Sequence, residues 1–314
     1  MNFEPSEDQA NALAALDRIL QPFRTLGPTD IVRPNVYSSR LHRELTDAGF
    51  LDIGSDPEER MTGALVVAEL ATLPVCVEAT ASILVRPDVC SAAPAPLALL
   101  WGDPTRPARF LPQARTAVLV DEQGVKTLPL SDGDVQEVTS LFAYPVGKLT
   151  DQALRRLGKL PVSAAGDLLT WWRLGIALEI FGALAGANRL TLEHVTQRHQ
   201  FGQPLGSLQA IQHRLAMDAT TLQSIRWLAL KAASSASAAD AALAAGYAQQ
   251  AVGTLAYDVH QFSGAMGLTL EYPLHLFTYR ARMLQSELGG AHTQIATAVT
   301  GTWSGSDELL ALRA

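Results

Sequence analysis

Cysteine is scarce in this sequence: Cys76 and Cys90 are the only two among 314 residues. They form neither a disulfide framework nor a metal spacing, and their apolar, alanine-rich surroundings suit buried free thiols. Basic charge is in deficit as well, with 24 Lys and Arg against 31 Asp and Glu, a net charge of −7 and a pI near 5.5. No face is obviously basic, so a nucleic-acid partner is not expected. No apolar run reads as an uninterrupted membrane span, and the opening MNFEPSEDQA is acidic and polar rather than signal-like. The expectation is a cytoplasmic protein with no membrane partner. The common catalytic signatures are missing too: no G-x-G-x-x-G after a strand, no P-loop, no G-x-S-x-G elbow and no H-E-x-x-H. The seven histidines do not gather; His194 and His199 fall on different helical faces, and no metal site is expected.

What is present is a large apolar fraction, 48% hydrophobic against 18% charged, enough for a substantial core. Residues 1–112 read as an N-terminal helical domain. NALAALDRIL (11–20) carries leucines at helical spacing, RLHRELTDAGFLDI (40–53) ends a helix at Gly49, and TGALVVAELATL (62–73) is apolar all round, as in a buried helix. LALLWGDPTRPARFLP (97–112) is read as two short helices about a Gly-Asp-Pro turn. Residues 113–160 form a small strand-rich segment: TAVLV (116–120) is a strand, VQEVTSLFAYPV (135–146) holds one or two more, and 147–163 is a linker. Residues 161–314 are helical, with long helices over 167–199, 207–233 and 241–261 and shorter ones over 274–287 and 292–299. Gly182 and Gly186 make a G-x-x-x-G that reads as close helix packing, and Trp171 and Trp172 as core or interface bulk.

The junction Arg198-His199-Gln200-Phe201-Gly202 supports two readings. As a helix stop it has a cation at the negative end of the dipole, a glycine for the left-handed position, and Pro204 to prevent continuation. Yet the next helix begins near Ser207, so a guanidinium stands beside a helix N-terminus, a good place for a doubly charged anion.

Three strings in order, LLWGDPTRPARFLP (99–112), RHQFGQPLGSLQAIQHRLA (198–216) and HQFSGAMGLTLEYPL (260–274), resemble the acyl-CoA dehydrogenase family. The resemblance implies a mainly α fold: an N-terminal helical domain, a reduced β middle segment and a C-terminal four-helix-bundle domain. It also implies FAD as cofactor, an acyl-CoA as substrate and electron-transfer flavoprotein as oxidant. Carried over by residue, Arg198 pairs with the flavin pyrophosphate, Gln200 and Phe201 line the flavin pocket, and Gln209 contacts the adenosine half. Gln261, Phe262, Ser263, Gly264 and Ala265 wrap it with backbone amides. Ala265 departs from the family, where a second glycine is usual.

The family abstracts an α-proton with a glutamate. Matching the glycines of Ser286-Glu287-Leu288-Gly289-Gly290 puts Leu288 at that position, and the alternative position, before Arg173, holds Trp172. A one-residue slip would restore Glu287 as the candidate base. Together with the short middle segment, this resembles the short subunit of the heteromeric α2β2 dehydrogenases of bacterial steroid side-chain degradation, in which a full-length partner has the complete active site. Two alternatives remain open: a self-sufficient homomer using Glu287, and a non-enzymatic scaffold of the same fold.

Overall fold

In the computed structural model the described residues are 4–55, 59–89, 91–163, 165 and 167–303; Cys90 lies outside them. The N-terminal helices are α1 (Glu7–Leu20), α2 (Pro28–Ile31), α3 (Ser39–Asp47), α4 (Arg60–Ala71) and, after a π-helical turn over Ala81–Val85, α5 (Arg86–Val89). Ser6 and Gln9 close a reciprocal capping box on α1, and Ser38 caps α3, so each start satisfies backbone donors left free by helix geometry. α4 buries every residue from Thr62 to Ala68, as its unbroken apolar run requires.

Contrary to the reading from sequence, residues 97–110 are not helical, and only a 3-10 turn over Leu111–Gln113 follows them. Leu97–Trp101 is strand β1 and Ala108–Arg109 is β2, followed by β3 (Thr116–Asp121), β4 (Gly124–Pro129), β5 (Val135–Val138) and β6 (Val146–Leu149). β1 pairs in parallel with β3, Leu97 opposite Thr116, and β3 continues antiparallel to β4; β2, β6 and β5 form a second antiparallel sheet. The physical reason is two-sided burial. Leu97, Val118 and Val120 face the main core, whereas Ala98, Leu100, Ala117 and Leu119 face a second cluster with Leu149, Ala153 and Leu157. A strand buried on both faces loses its polar alternation and reads as a continuous apolar run, which periodicity cannot tell from a helix. Nor is 147–163 a plain linker, since it contributes most of β6 and then α6 (Asp151–Leu157), capped by Thr150.

The C-terminal helices are α7 (Leu168–Gln197), α8 (Gln209–Ser235), α9 (Ala238–Ser263), α10 (Leu274–Leu284) and α11 (Gly290–Trp303); β7 (His199–Gln200) and β8 (Gln203–Pro204) form a hairpin between α7 and α8. α7 is the central rod, packed against α4, α8, α9 and α10. By length and composition it could cross a membrane, but 78% of its most apolar window is buried inside the protein. Gly182 and Gly186 serve as read: a Cβ on Gly182 would lie 2.5 Å from the Ala68 carbonyl oxygen and from the Ala71 Cβ, and one on Gly186 2.4 Å from Phe277.

Candidate functional site

Two regions carry the chemistry. The first is the surface end of α7. The Arg198 carbonyl accepts from Leu205 N–H at 2.8 Å, which closes the β7–β8 hairpin. Its two-residue tip, Phe201 (φ 55°) and Gly202 (φ 79°), takes the double left-handed turn that suits the twist of paired strands. Phenylalanine is a poor choice there on two counts. Its Cβ disfavours positive φ, and its ring is 87% exposed. A strained, solvent-facing aromatic points to a binding role. Arg198 is exposed, and among the described residues its guanidinium has neither a hydrogen bond nor an ion pair. After the hairpin and the 3-10 turn over Leu205–Ser207, α8 begins at Gln209 with Leu208 as N-cap and no side-chain cap, so a long helix presents its positive end uncapped.

Gln261, Gly264 and Ala265 are exposed at the end of α9, Phe262 is half-buried and Ser263 is buried. Gly264 adopts φ 59°, ψ −147°, a region open to glycine alone, and nothing lies within 4 Å of where its Cβ would be. Ala265 avoids positive φ, so the missing second glycine costs no strain. Tyr272 ties this loop to α7 by donating to the Leu190 carbonyl at 2.9 Å, so both segments occupy one end of the bundle. The residues expected to hold a flavin tail are therefore mostly on the outer surface.

The second region is internal, where β2, α7 and the loop before α11 meet. Arg109 on β2 donates from Nε to Glu287 at 2.6 Å and from Nη1 to Glu179 at 2.8 and 3.1 Å. Tyr144 Oη also donates to Glu179, at 2.9 Å, and Thr80 completes its shell; Trp172 Nε1 donates to Glu287 at 3.2 Å. Burial opposes the Arg109 charge, but the two carboxylates outweigh it and hold the guanidinium well above its ordinary pKa. Burial, reinforced by Glu179, pushes the Tyr144 phenol well above its ordinary value.

Glu287, the candidate base, has both oxygens engaged by Arg109 and one also by Trp172, so proton abstraction would require it to leave a buried cation. Leu288 next to it is buried at φ 53°, and neither it nor Trp172 can accept a proton. A cleft of about 410 Å³ opens at Glu287, Trp172 and Trp101, and an apolar one of about 680 Å³ adjoins it between Phe142, Tyr279 and Met283. Sequence reasoning missed Arg109, Glu179, Tyr144 and Thr80. A usable signal existed for one of them: Glu179 is the only charge between Leu174 and Asn188. Among the described residues no group of His, Cys, Asp and Glu could hold a metal ion.

Residues 162–299 match the acyl-CoA dehydrogenase C-terminal domain family. Acyl-CoA dehydrogenase IpdE2 of Mycobacterium tuberculosis is 31% identical over 157 residues, 48% of this chain and 49% of that protein, so the match spans about half of that relative. IpdE2 of Mycolicibacterium smegmatis is 27% identical over 240 residues, 72% of this chain and 77% of that protein. The solved ChsE4–ChsE5 complex of Mycobacterium tuberculosis aligns over 94% of this chain and 97% of the matched chain, at TM-score 0.75 and 20% identity. The Tcur3481–Tcur3483 steroid ACAD aligns over 95% and 98%, at TM-score 0.76 and 18% identity. At such identities the structural likeness is one of fold.

Proposed function

From the premise that this chain carries the acyl-CoA dehydrogenase C-terminal domain at 162–299 and that family's fold throughout, we propose that it is a subunit of a heteromeric acyl-CoA dehydrogenase. In this reading it supplies the adenosine and pyrophosphate half of a FAD site to a full-length partner that has the catalytic glutamate. Members of the family are FAD-dependent flavoproteins. The observation that carries the reading is the exposed Arg198, without an ion pair among the described residues, on a hairpin with an exposed aromatic tip that leads into an uncapped helix start. That donor set fits a pyrophosphate, and its exposure fits a ligand whose other half lies in another chain.

Arg198 and the α8 N-terminus would hold the phosphates, Phe201, Gln200 and Gln209 the neighbouring groups, and the Gln261–Ala265 backbone the outer edge. FAD, when bound, supplies the hydride acceptor. The residues of this chain hold and orient it, while Glu287 stays with Arg109 as a structural anion. The two-chain ChsE4–ChsE5 complex supports a heteromeric assembly, and the Tcur3481–Tcur3483 steroid ACAD supports a steroid-like acyl-CoA; electron-transfer flavoprotein as oxidant is the remaining part of this reading.

The test is co-expression with an adjacent full-length dehydrogenase gene, followed by a visible spectrum and mass of the purified complex. One flavin per pair of unlike chains, lost on Arg198→Ala, is expected. A second reading has one observation in its favour, the cleft that opens at Glu287: a self-sufficient homomer with Glu287 as base. It predicts a yellow protein from this chain alone, inactivated by Glu287→Gln; that result would overturn the subunit reading.

A further inference from the structure

Away from the hairpin and the Arg109 cluster, α8 and α9 enclose a cleft of about 200 Å³ lined by Arg214, Asp218, Thr221, Gln250, Thr254 and Asp258, with Tyr247 and Met217 among its walls. Asp218 and Asp258 are 4% and 2% exposed. Arg214 Nη2 donates to both oxygens of Asp258, at 2.7 and 2.6 Å, which satisfies that carboxylate. Among the described residues Asp218 forms no ion pair: its Oδ2 is buried without a donor, and its hydrogen-bonding contact is with the Asp258 carboxyl rather than with a cation. Two carboxylates and one guanidinium leave the cleft with a net charge of −1. A buried carboxylate oxygen left unpaired is costly, so the site calls for one more positive charge or a proton.

We propose that this cleft binds a single cationic head group, a primary ammonium or a guanidinium, placed between Asp218 and the hydroxyls of Thr221 and Thr254. The shape and donors suit that class. Thr221 spends its own proton on the Met217 carbonyl at 3.0 Å, so its oxygen faces a ligand as an acceptor. Gln250 supplies an amide oxygen, and the Tyr247 ring and Met217 side chain give a polarizable wall for the attached alkyl stem. Met217, next to Asp218 in the chain, lines the cleft and is 60% exposed, so the cleft is open to solvent on that side.

When the cleft is empty, a proton substitutes for the cation. Burial raises the Asp218 pKa to about 7, Asp258 adds to the rise, and Arg214 opposes it. Those two side chains are the charged groups that bear on Asp218; the Tyr257 phenol bears on Arg214. Below about pH 7, binding a cation therefore displaces this proton, whereas near pH 8 most sites have already lost it.

The experiment is calorimetric titration of the full chain with n-butylammonium and butylguanidinium chlorides, with choline chloride as control. Saturable 1:1 binding is expected, about tenfold tighter near pH 8 than near pH 6, as displacement of one proton titrating at about 7 requires. Asp218→Asn, which keeps the shape and removes the charge, is expected to abolish it with unchanged circular dichroism. Light scattering separates the source of the head group. If the amine lowers the mass of an assembled species, a partner chain's Lys or Arg is the native occupant; if the mass is constant, the occupant is a free amine. Equal, non-saturable heats with choline, or with Asp218→Asn, would overturn the proposal and leave a carboxyl pair that only shares a proton. None of these readouts depends on flavin, so failure here and failure of the subunit reading are distinguishable.

Discussion

Replacing Arg109 by methionine tests whether the internal cluster is structural. Arg109 and Glu179 are 8% and 9% exposed, and the Glu287 side chain 16%. The variant keeps the aliphatic stem but leaves two nearly buried carboxylates without their shared cation. Breaking a buried ion pair from one side costs about 3–5 kcal/mol, because the remaining charge is uncompensated. For a chain of this size, roughly 2 °C per kcal/mol converts that into a fall in Tm of roughly 6–10 °C. The triple variant Arg109→Met, Glu179→Gln, Glu287→Gln removes all three charges together and is expected to recover most of the loss, to within about 2 kcal/mol of the native chain. Urea unfolding followed by tryptophan fluorescence suits the measurement, because Trp172 donates directly to Glu287. If Arg109→Met unfolds within about 1 kcal/mol of the native chain, or the triple variant is no more stable than the single one, the cluster does not organise these segments and Glu287 is free to act otherwise.

Arg198→Ala is expected to leave the stability of the isolated chain within about 0.5 kcal/mol, since the guanidinium is exposed, while the flavin content of the assembled complex falls at least about tenfold. Gly264→Ala meets no steric obstacle but forces φ 59°, ψ −147° on a Cβ; a loss of about 1–3 kcal/mol in chemical denaturation is expected. Gly182→Val drives α4 away from α7 and is expected to cost at least about 3 kcal/mol, read by the same assay. The stability contributed by Asp218 is complete below its unfolded value of 3.8 and is lost as pH rises through about 7, because the folded chain binds that proton more tightly. Subtracting the stability–pH curve of Asp218→Asn from that of the native chain isolates this contribution. The histidines His42, His194 and His260, whose values burial lowers, cancel in the difference.

The helical regions were legible because their signals are local. α1, α3, α4 and the long helices α7 to α9 fall within a few residues of the spans that periodicity, caps and breakers indicate. The left-handed backbone at Gly202 and the close approach at Gly182 were legible for the same reason, since one residue's backbone freedom or missing side chain decides each; the hairpin around Gly202, with Phe201 also at positive φ, was not. The strand β1 was not legible. Its partner β3 begins at Thr116, beyond an intervening loop and β2, and both of its faces are covered, so the local pattern contains no alternation to read.

The sequence by itself determined the class of the C-terminal half, the order of its helices, and an arginine at the junction before a helix start. Tertiary structure alone decided which charges meet. Arg109 reaches Glu179 across 70 residues and Glu287 across 178, and Asp218 comes to lie beside Asp258 only because α8 packs on α9. Local propensity acts over a few residues and can be read in order along the chain. A buried charge is tolerable only where packing brings its partner, and that pairing exists nowhere until the helices and sheets have closed around it.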